Sequence, residues 1–318
     1  MKAATRVVGV LKKKVDCIIL ISHLGDDVDR KLVKKVDGID LILCGHHHFL
    51  YKKAVKVRHT YLVEAGGYST HVGLADIYFR NGKISKIVWS TKNSSDKSKA
   101  DPVVNRAVKK YHAIALELAK KVVGKTKTKL DGFRVNVRTK ETNLGDVLTD
   151  AMRETGEADV ALMNGGGIRE SIPKGNINLY SVGKALPFIN SLVTIEVRGD
   201  KIYKAIERGL RLYPDGGSNG GFLHVSGMKY KFDASKLPGR RVVSITVKGR
   251  PMNKAKYYKV ATNDYLYNGG DGYEELKSAK LLSKGELLRD VLAKYIKEKV
   301  EINAKTEGRI KVINERYK

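Results

Sequence analysis

Residues 16–48, DCIILISHLGDDVDRKLVKKVDGIDLILCGHHH, contain the pattern on which the fold prediction rests. Residues 16–21 and 40–44 form two short, strongly apolar runs of strand length. Between them, apolar residues at positions 28, 32, 33 and 36 recur at helical spacing, which indicates an amphipathic helix. A strand–helix–strand unit predicts two parallel strands joined by a right-handed crossover. We therefore expect an α/β domain in the first part of the chain.

Histidines follow both predicted strands. His23 comes after the first strand, His46 comes after the second, and His48 lies two residues further on. Because ligands bind at the carboxyl ends of parallel strands in open α/β sheets, three imidazoles at this edge predict a site for Zn²⁺ or Mn²⁺. The alternative is a set of loop histidines with ordinary hydrogen bonds. His47 is predicted to point away from the site.

Length and composition fit a folded protein with two domains. The chain has 318 residues, of which 42% are hydrophobic and 30% are charged. These values exclude a disordered, collagen-like or coiled-coil chain. No apolar run is long enough to cross a membrane, so we expect no transmembrane segment, and no signal peptide is visible.

Charge is the unusual feature of the composition. Lysine and arginine number 61 against 34 aspartate and glutamate, which gives a net charge of +27. Such a field favours anionic ligands. It would also support weak nucleic-acid binding, but the basic residues are scattered and no nucleic-acid motif is present. We therefore predict no specific nucleic-acid partner.

The rest of the chain shows both periodicities. Asn81-Gly82 predicts a hairpin turn, residues 91–100 a polar loop, and residues 101–123 one long helix that connects two domains. Beyond it, the patterns predict three helices and five strands. The helices are expected at residues 143–154, 200–210 and 286–300, and the strands at residues 160–163, 192–197, 229–232, 242–247 and 257–262.

Three predicted loops of the second half carry residues typical of ligand sites. The glycines of residues 164–169, NGGGIR, follow a predicted strand, and backbone N–H groups in such a turn together with Arg169 predict an anion site. Phe188 and Tyr265 lie on loops, where two aromatic rings can stack on a flat base. The alternatives are a glycine-rich chain reversal and ordinary core packing. Arg134 and Arg138, taken alone, are typical of solvated surface arginines.

Seven motifs, in order along nearly the whole chain, resemble the 5'-nucleotidase family. In that family a calcineurin-like metallophosphoesterase domain precedes a substrate-binding domain. The motifs are residues 21–25 (ISHLG), 45–48 (GHHH), 138–146 (RTKETNLGD), 164–169 (NGGGIR), 186–188 (LPF), 221–227 (GFLHVSG) and 268–273 (NGGDGY).

The resemblance implies a fold and a domain division. The fold class is α/β (α+β): the C-terminal half of a metallophosphoesterase β-sandwich, joined by a long helix to a mixed α/β C-terminal domain. The divisions are residues 1–100 for the partial metallophosphoesterase domain, 101–123 for the connector and 124–318 for the substrate-binding domain. Because the first half of the metallophosphoesterase domain has no counterpart, the chain is expected to be N-terminally truncated, with an exposed apolar sheet edge.

The resemblance also implies roles for individual residues. It places His23, His46 and His48 among the ligands of two divalent metal ions (Zn, Mn, Co or Mg), of which this chain would hold at most a partial site. It assigns a phosphate or ribose contact to several residues, the base to Phe188 and Tyr265, and the ribose hydroxyls to Asp271. The residues on the phosphate or ribose side are Arg134, Arg138 and Arg169, and Asn164 is assigned a substrate contact as well. Tyr265 departs from the phenylalanine that is common at its position.

Motifs that the family carries upstream are missing from this sequence. It contains no Asn-His pair and no Asp-x-His triplet, so the family's catalytic histidine has no counterpart and the catalytic residue is unknown. The sequence therefore predicts metal-dependent hydrolysis of nucleotide phosphoesters by lineage, or a non-catalytic nucleotide-binding or nucleoside-binding module. The substrate class extends to 2',3'-cyclic nucleotides and UDP-sugars. The family implies a periplasmic, cell-surface or secreted location; oligomeric state is left open.

Overall fold

A computed structural model describes residues 1–81, 83–94, 101–277 and 279–315, and the chain divides into two compact units, residues 1–104 and 105–318. Gly82 of the predicted hairpin turn and residues 95–100 of the predicted loop lie outside the described residues. The assignment of residues 1–100, 101–123 and 124–318 to named domains stays a prediction.

Helices and strands occur in both units of the described chain. The helices are α1 Lys2–Leu11, α2 Asp26–Lys35, α3 Pro102–Lys120, α4 Asn143–Thr155, α5 Leu179–Ala185, α6 Gly199–Gly209, α7 Asp264–Tyr267, α8 Glu274–Lys277 and α9 Leu288–Lys299. The strands are β1 Ile19–Ile21, β2 Leu41–Leu43, β3 Val55–Val57, β4 Thr60–Val63, β5 His71–Arg80, β6 Lys83–Asn93, β7 Val122–Thr126, β8 Val160–Asn164, β9 Gly175–Asn178, β10 Ser191–Arg198, β11 Leu223–Ser226, β12 Met228–Asp233, β13 Val242–Val247, β14 Arg250–Pro251, β15 Tyr257–Asn263, β16 Lys280–Leu287, β17 Glu301–Ile302 and β18 Ile310–Ile313.

The first unit contains the predicted strand–helix–strand motif. β1 and β2 pair in parallel with α2 between them in sequence, and the sheet has the order β1-β2-β4-β3. Leu32 and Val33 of α2 are buried with Ile42 of β2, which explains the helical spacing of the apolar residues. β1 lies at one end of the sheet order, and its Ile21 is 83% exposed.

The helix predicted for residues 101–123 begins at its expected start and ends three residues early. The Asp101 side chain accepts hydrogen bonds from the backbone N–H groups of Val103 (2.8 Å) and Val104 (3.0 Å), an N-terminal cap for α3. The helix stops at Lys120, and residues 122–126 form β7, which pairs with β9 and β17. The β-branched pair Val122-Val123 favours this strand over a further helical turn.

The second unit is organised around the five-stranded sheet β11-β8-β15-β10-β16. Val160 and Leu162 of β8 belong to one apolar cluster, whereas Ala161 and Met163 belong to another. Because successive side chains of a strand point to opposite faces, this strand is buried on both faces. Helices α4 and α9 contribute to one cluster, and α6 with β12 contributes to the other.

Other predicted elements agree with the structure to within a few residues. One start is displaced: the helix expected from residue 286 begins at Leu288, because Glu286 and Leu287 belong to β16, which pairs with β10. Cys17 and Cys44 are half-buried free cysteines.

Candidate functional site

Asp271 lies at the centre of a hydrogen-bonded cluster in the second unit. It follows Gly269 and Gly270 in a tight turn, and its backbone has φ +53° and ψ 14°. One carboxylate oxygen accepts a hydrogen bond from the Tyr265 hydroxyl at 2.9 Å. The other accepts one from Asn164 Nδ2 at 3.0 Å. The turn therefore presents a half-buried carboxylate whose orientation is fixed by two side chains.

Asn164 connects this turn to the central sheet. It is the last residue of β8 and only 4% exposed. Its Oδ1 accepts a hydrogen bond from Asn263 Nδ2 at 2.9 Å. Asn263 is the last residue of β15, which pairs with β8 in parallel, and its Oδ1 also caps α7 through Leu266 N at 2.8 Å. The cluster thus lies at the carboxyl ends of two parallel strands, where α/β sheets place their ligands.

Tyr265 makes a second bond to the same turn. Its hydroxyl oxygen accepts from the backbone N–H of Asp271 at 3.1 Å while the hydroxyl donates to the Asp271 carboxylate. Burial, and then the negative charge of Asp271, raise the pKa of Tyr265 to about 12. The phenol is therefore protonated, and able to donate, throughout the neutral range. Gly270 makes room for the ring, since a Cβ there would lie 2.5 Å from it.

Of the two predicted stacking residues, Phe188 lies on a loop as expected, whereas Tyr265 lies in the short helix α7, and a hydrogen bond joins the two segments. Asn190, two residues after Phe188, donates from Nδ2 to Oδ1 of Asp264, the residue before Tyr265, at 2.9 Å. Both rings are partly exposed, Phe188 at 48% and Tyr265 at 42%. A surface pocket of about 410 Å³ adjoins Tyr265; its lining is Asn190, Asp264, Tyr265, Asn268, Gly269 and Gly270.

Arg169 lies against Phe188. The centre of its guanidinium group is 5.6 Å from the centroid of the Phe188 ring, within cation–π range. The structure therefore joins a predicted phosphate or ribose residue to a predicted base residue. Elsewhere in the glycine-rich loop, Gly165 N–H donates to Phe222 O and Gly166 N–H to Gly220 O, each at 2.7 Å. These two N–H groups are used for backbone contacts, as in the chain-reversal alternative.

Arg134 and Arg138 converge on one backbone carbonyl. Arg134 Nη2 donates to Gly217 O at 2.8 Å, and Arg138 Nη1 donates to the same oxygen. Arg138 is 6% exposed. These arginines therefore hold the loop around Gly217, and Arg138 is not the solvated surface residue that its pattern alone indicates.

A buried histidine supports the turn that carries Arg138. His224 is 0% exposed, and its Nε2 lies 2.9 Å from the carbonyl oxygen of Val137. Burial lowers the pKa of His224 to about 4, so the ring is neutral at neutral pH and donates from Nε2. Asn219 Nδ2 donates to Arg138 O at 3.3 Å from the other side.

The histidines of the first unit form a cluster of rings. His23 and His46 have ring centroids 5.2 Å apart in an edge-on arrangement, and both side chains are exposed. His48 packs edge-on against Tyr68 at 5.0 Å. His47, which was predicted to point away from the site, has its ring 5.2 Å from that of His46, and its Nδ1 accepts from Asp26 N at 3.1 Å.

The nearby carboxylates have other partners. Asp26 accepts from Arg30 Nε at 2.6 Å and from the Tyr51 hydroxyl. Burial alone would raise the pKa of Asp26, but these two hydrogen bonds hold it below its usual value. Asp29 is 0% exposed and accepts from Ser22 Oγ at 2.6 Å, and burial raises its pKa.

The described residues do not fit a complete metal centre. Across residues 1–81, 83–94, 101–277 and 279–315, no group of three or more His, Cys, Asp or Glu side chains is placed to hold a metal ion. His23 and His46 bring two imidazoles together, whereas zinc sites in proteins have at least three protein ligands. In the same part of the chain, no helix is both long and apolar enough to span a bilayer.

This chain is similar in sequence and in structure to known 5'-nucleotidases. The family model described as "5'-nucleotidase, C-terminal domain" matches residues 122–278. The crystal structure of a 5'-nucleotidase precursor from Thermus thermophilus is 32% identical, with a TM-score of 0.74 over 99% of this chain and 68% of that one. The chain belongs to the 5'-nucleotidase family. Members of the 5'-nucleotidase family are hydrolases and are generally dependent on divalent metals.

The curated relatives that this chain matches are longer than the chain itself. The trifunctional nucleotide phosphoesterase protein YfkN of Bacillus subtilis is 34% identical over 95% of this chain, which corresponds to 22% of that relative. A 5'-nucleotidase of Diplobatis ommata is 29% identical over 95% of this chain and 59% of its own length. The chain thus spans about a fifth of the length of the first relative and about three fifths of the length of the second. The mixed α/β fold matches that of solved 5'-nucleotidases.

Three residues of the site were missed from the sequence. Asn190 and Asn263 lie outside the seven motifs, and His224 lies within residues 221–227 but was assigned no role. Asn263 carries the only available signal, because an asparagine between a strand and a short helix is a typical N-cap. The partners of Asn190 and His224 are 74 and 87 residues away in sequence, so no local pattern reveals them.

Proposed function

We propose that this chain binds a nucleotide in its second unit and takes part in hydrolysis of the nucleotide's phosphoester. The observation that carries the proposal is the Asp271 carboxylate, fixed by Tyr265 and Asn164 at the carboxyl ends of parallel strands. Membership of the 5'-nucleotidase family supports it. The substrate class is nucleotide phosphoesters. Nucleoside 5'-monophosphates and UDP-sugars keep both ribose hydroxyls free for Asp271, whereas 2',3'-cyclic nucleotides, also in the class, would bind without those two hydrogen bonds.

Each predicted residue has a role in this proposal. Asp271 accepts hydrogen bonds from the ribose hydroxyls, and Phe188 and Tyr265 stack on the base, at about 1–3 kcal/mol for each stacked face. Arg169 contacts the phosphate or ribose side, and Asn164 contacts the substrate as well. Arg134 and Arg138 belong to the same side, and they also hold the loop around Gly217.

The metal part of the proposal rests on three histidines. His23, His46 and His48 are proposed ligands of divalent ions, with Zn, Mn, Co or Mg as the metals of the family. The described residues do not bring together a complete set of metal ligands, and the catalytic residue is unknown.

A non-catalytic nucleotide-binding module is the second candidate. One observation favours it: the second unit has a connected Asp271 cluster, whereas the described residues of the first unit lack a three-ligand metal group. This candidate predicts nucleotide affinity without phosphate release.

The deciding experiment measures phosphate release from AMP by the purified chain with Mn²⁺ or Co²⁺, with and without EDTA. Release that is abolished by EDTA and by His46→Ala supports the enzyme. Calorimetric titration with AMP is run in parallel, with Asp271→Ala as the variant that should lose binding. Binding without release supports the module, and the absence of both contradicts the proposal.

A further inference from the structure

We propose that the Tyr265 hydroxyl makes the site specific for ribose over 2'-deoxyribose, by holding the Asp271 carboxylate in a position to receive two vicinal hydroxyls. This inference rests on the proposed nucleotide-binding function. It adds a specificity-determining role to a residue otherwise proposed only as a stacking ring.

The Tyr265 hydroxyl makes two hydrogen bonds to the same residue, Asp271. It accepts from Asp271 N at 3.1 Å and donates to Asp271 Oδ1 at 2.9 Å. Asp271 has φ +53°, a left-handed conformation that is unfavourable for a residue with a side chain. Two bonds from one hydroxyl therefore compensate for this backbone conformation and set the direction of the carboxylate together. A phenylalanine ring could stack equally well, but it would make neither bond.

The remaining capacity of the carboxylate matches a diol. An ionised carboxylate has about four acceptor positions on its two oxygens. Tyr265 occupies one position on Oδ1, and Asn164 occupies one on Oδ2 at 3.0 Å. One position is left on each oxygen, so two neighbouring hydroxyls can each donate one hydrogen bond. A 2'-deoxyribose supplies only one of the two donors.

The environment keeps this arrangement in place. Burial and the charge of Asp271 raise the pKa of Tyr265 to about 12, so the hydroxyl retains its proton at the pH of any ordinary assay. The ring lies against Gly270, where a Cβ would be 2.5 Å away. Asn164 is held in turn by Asn263 at 2.9 Å. The carboxylate is therefore set before a nucleotide arrives, which lowers the cost of binding.

The test is a calorimetric comparison of AMP with 2'-deoxy-AMP for the wild-type chain and Tyr265→Phe. We expect the wild type to prefer AMP at least tenfold. In Tyr265→Phe this ratio should fall at least fivefold, through weaker AMP binding, while the affinity for 2'-deoxy-AMP changes less than twofold. Tyr267→Phe, which removes a phenol from the same helix, is the matched control and should keep the wild-type ratio.

Asp271→Asn provides a second variant and should bind the two nucleotides with similar affinity. An unchanged ratio in Tyr265→Phe, or tighter AMP binding by it, would overturn the inference while leaving nucleotide binding intact. Failure of the wild type to bind either nucleotide would overturn the proposed function and the inference with it. Circular dichroism of each variant verifies that the fold is retained.

Discussion

His224 makes the stability of the second unit depend on pH. Its pKa is about 4 in the folded chain because of burial, against about 6.5 in the unfolded chain. Between these values the unfolded state binds a proton that the folded state does not. The free energy of unfolding therefore decreases as the pH falls from above 6.5 to 4, and the loss due to His224 reaches roughly 3 kcal/mol at pH 4.

The variant His224→Gln isolates this contribution. Glutamine retains a donor for Val137 O but does not titrate, so its stability deficit relative to the wild type should shrink as the pH is lowered. Asp146, whose pKa burial raises to about 8, contributes the opposite slope in both proteins and cancels in the difference. Urea unfolding at pH 7, 5.5 and 4 measures the effect; parallel curves would contradict the prediction.

Gly145 is required by the same histidine. A Cβ at Gly145 would lie 2.1 Å from His224 Nδ1, which is fully buried and cannot move aside. We expect Gly145→Ala to lower the free energy of unfolding by about 1–3 kcal/mol, as for other overpacked cores. The control is Gly183→Ala in α5, where no atom lies within 4 Å of the added methyl group. That change should stabilise the chain by about 0.5–1 kcal/mol. Thermal unfolding of both variants decides the point, and equal shifts would contradict the packing argument.

At the scale of elements, an apolar pattern was sufficient where burial is strong. The run at residues 160–163 was correctly predicted as a strand because both faces of β8 are buried. β16 was missed because residues 280–286 are exposed, so this strand exists through its pairing with the distant β10 rather than through an apolar pattern of its own. The end of α3 was misplaced for the same reason, since β7 exists through its pairing with β9 and β17.

The hydrogen bond between the loop of Phe188 and helix α7 gives a prediction for an element of the site. Asn190→Ala removes the hydrogen bond to Asp264 and should free the loop of Phe188 from the start of α7. We expect AMP affinity to fall about threefold to tenfold, close to one side-chain hydrogen bond of about 1 kcal/mol. Ile189→Ala, at a side chain that is 75% exposed in the same loop, is the control and should bind normally. Equal affinities of Asn190→Ala and the wild type would show that the tie does not position the site.

At the scale of the whole molecule, the motifs were sufficient to predict which residues belong to the site. They were not sufficient to predict how those residues are arranged in space. Asn164 and Asp271 are 107 residues apart, and only the parallel pairing of β8 with β15 explains how the two loops meet. The three histidines were predicted to converge because they follow parallel strands. His46 and His48 have φ of +84° and +63°, backbone conformations that a sequence pattern does not reveal and that set where each ring points.

The net charge of +27 gives a prediction for the rate of nucleotide binding. A positive field attracts AMP over several ångströms before contact, and salt screens this attraction. Between 50 and 500 mM NaCl we expect the association rate constant of AMP to fall about tenfold. That of adenosine, which lacks the phosphate, should change less than twofold. Stopped-flow fluorescence with both ligands measures the two rates. If both rate constants respond equally to salt, steering by the overall charge is excluded, and the surplus of lysine and arginine has no part in nucleotide capture.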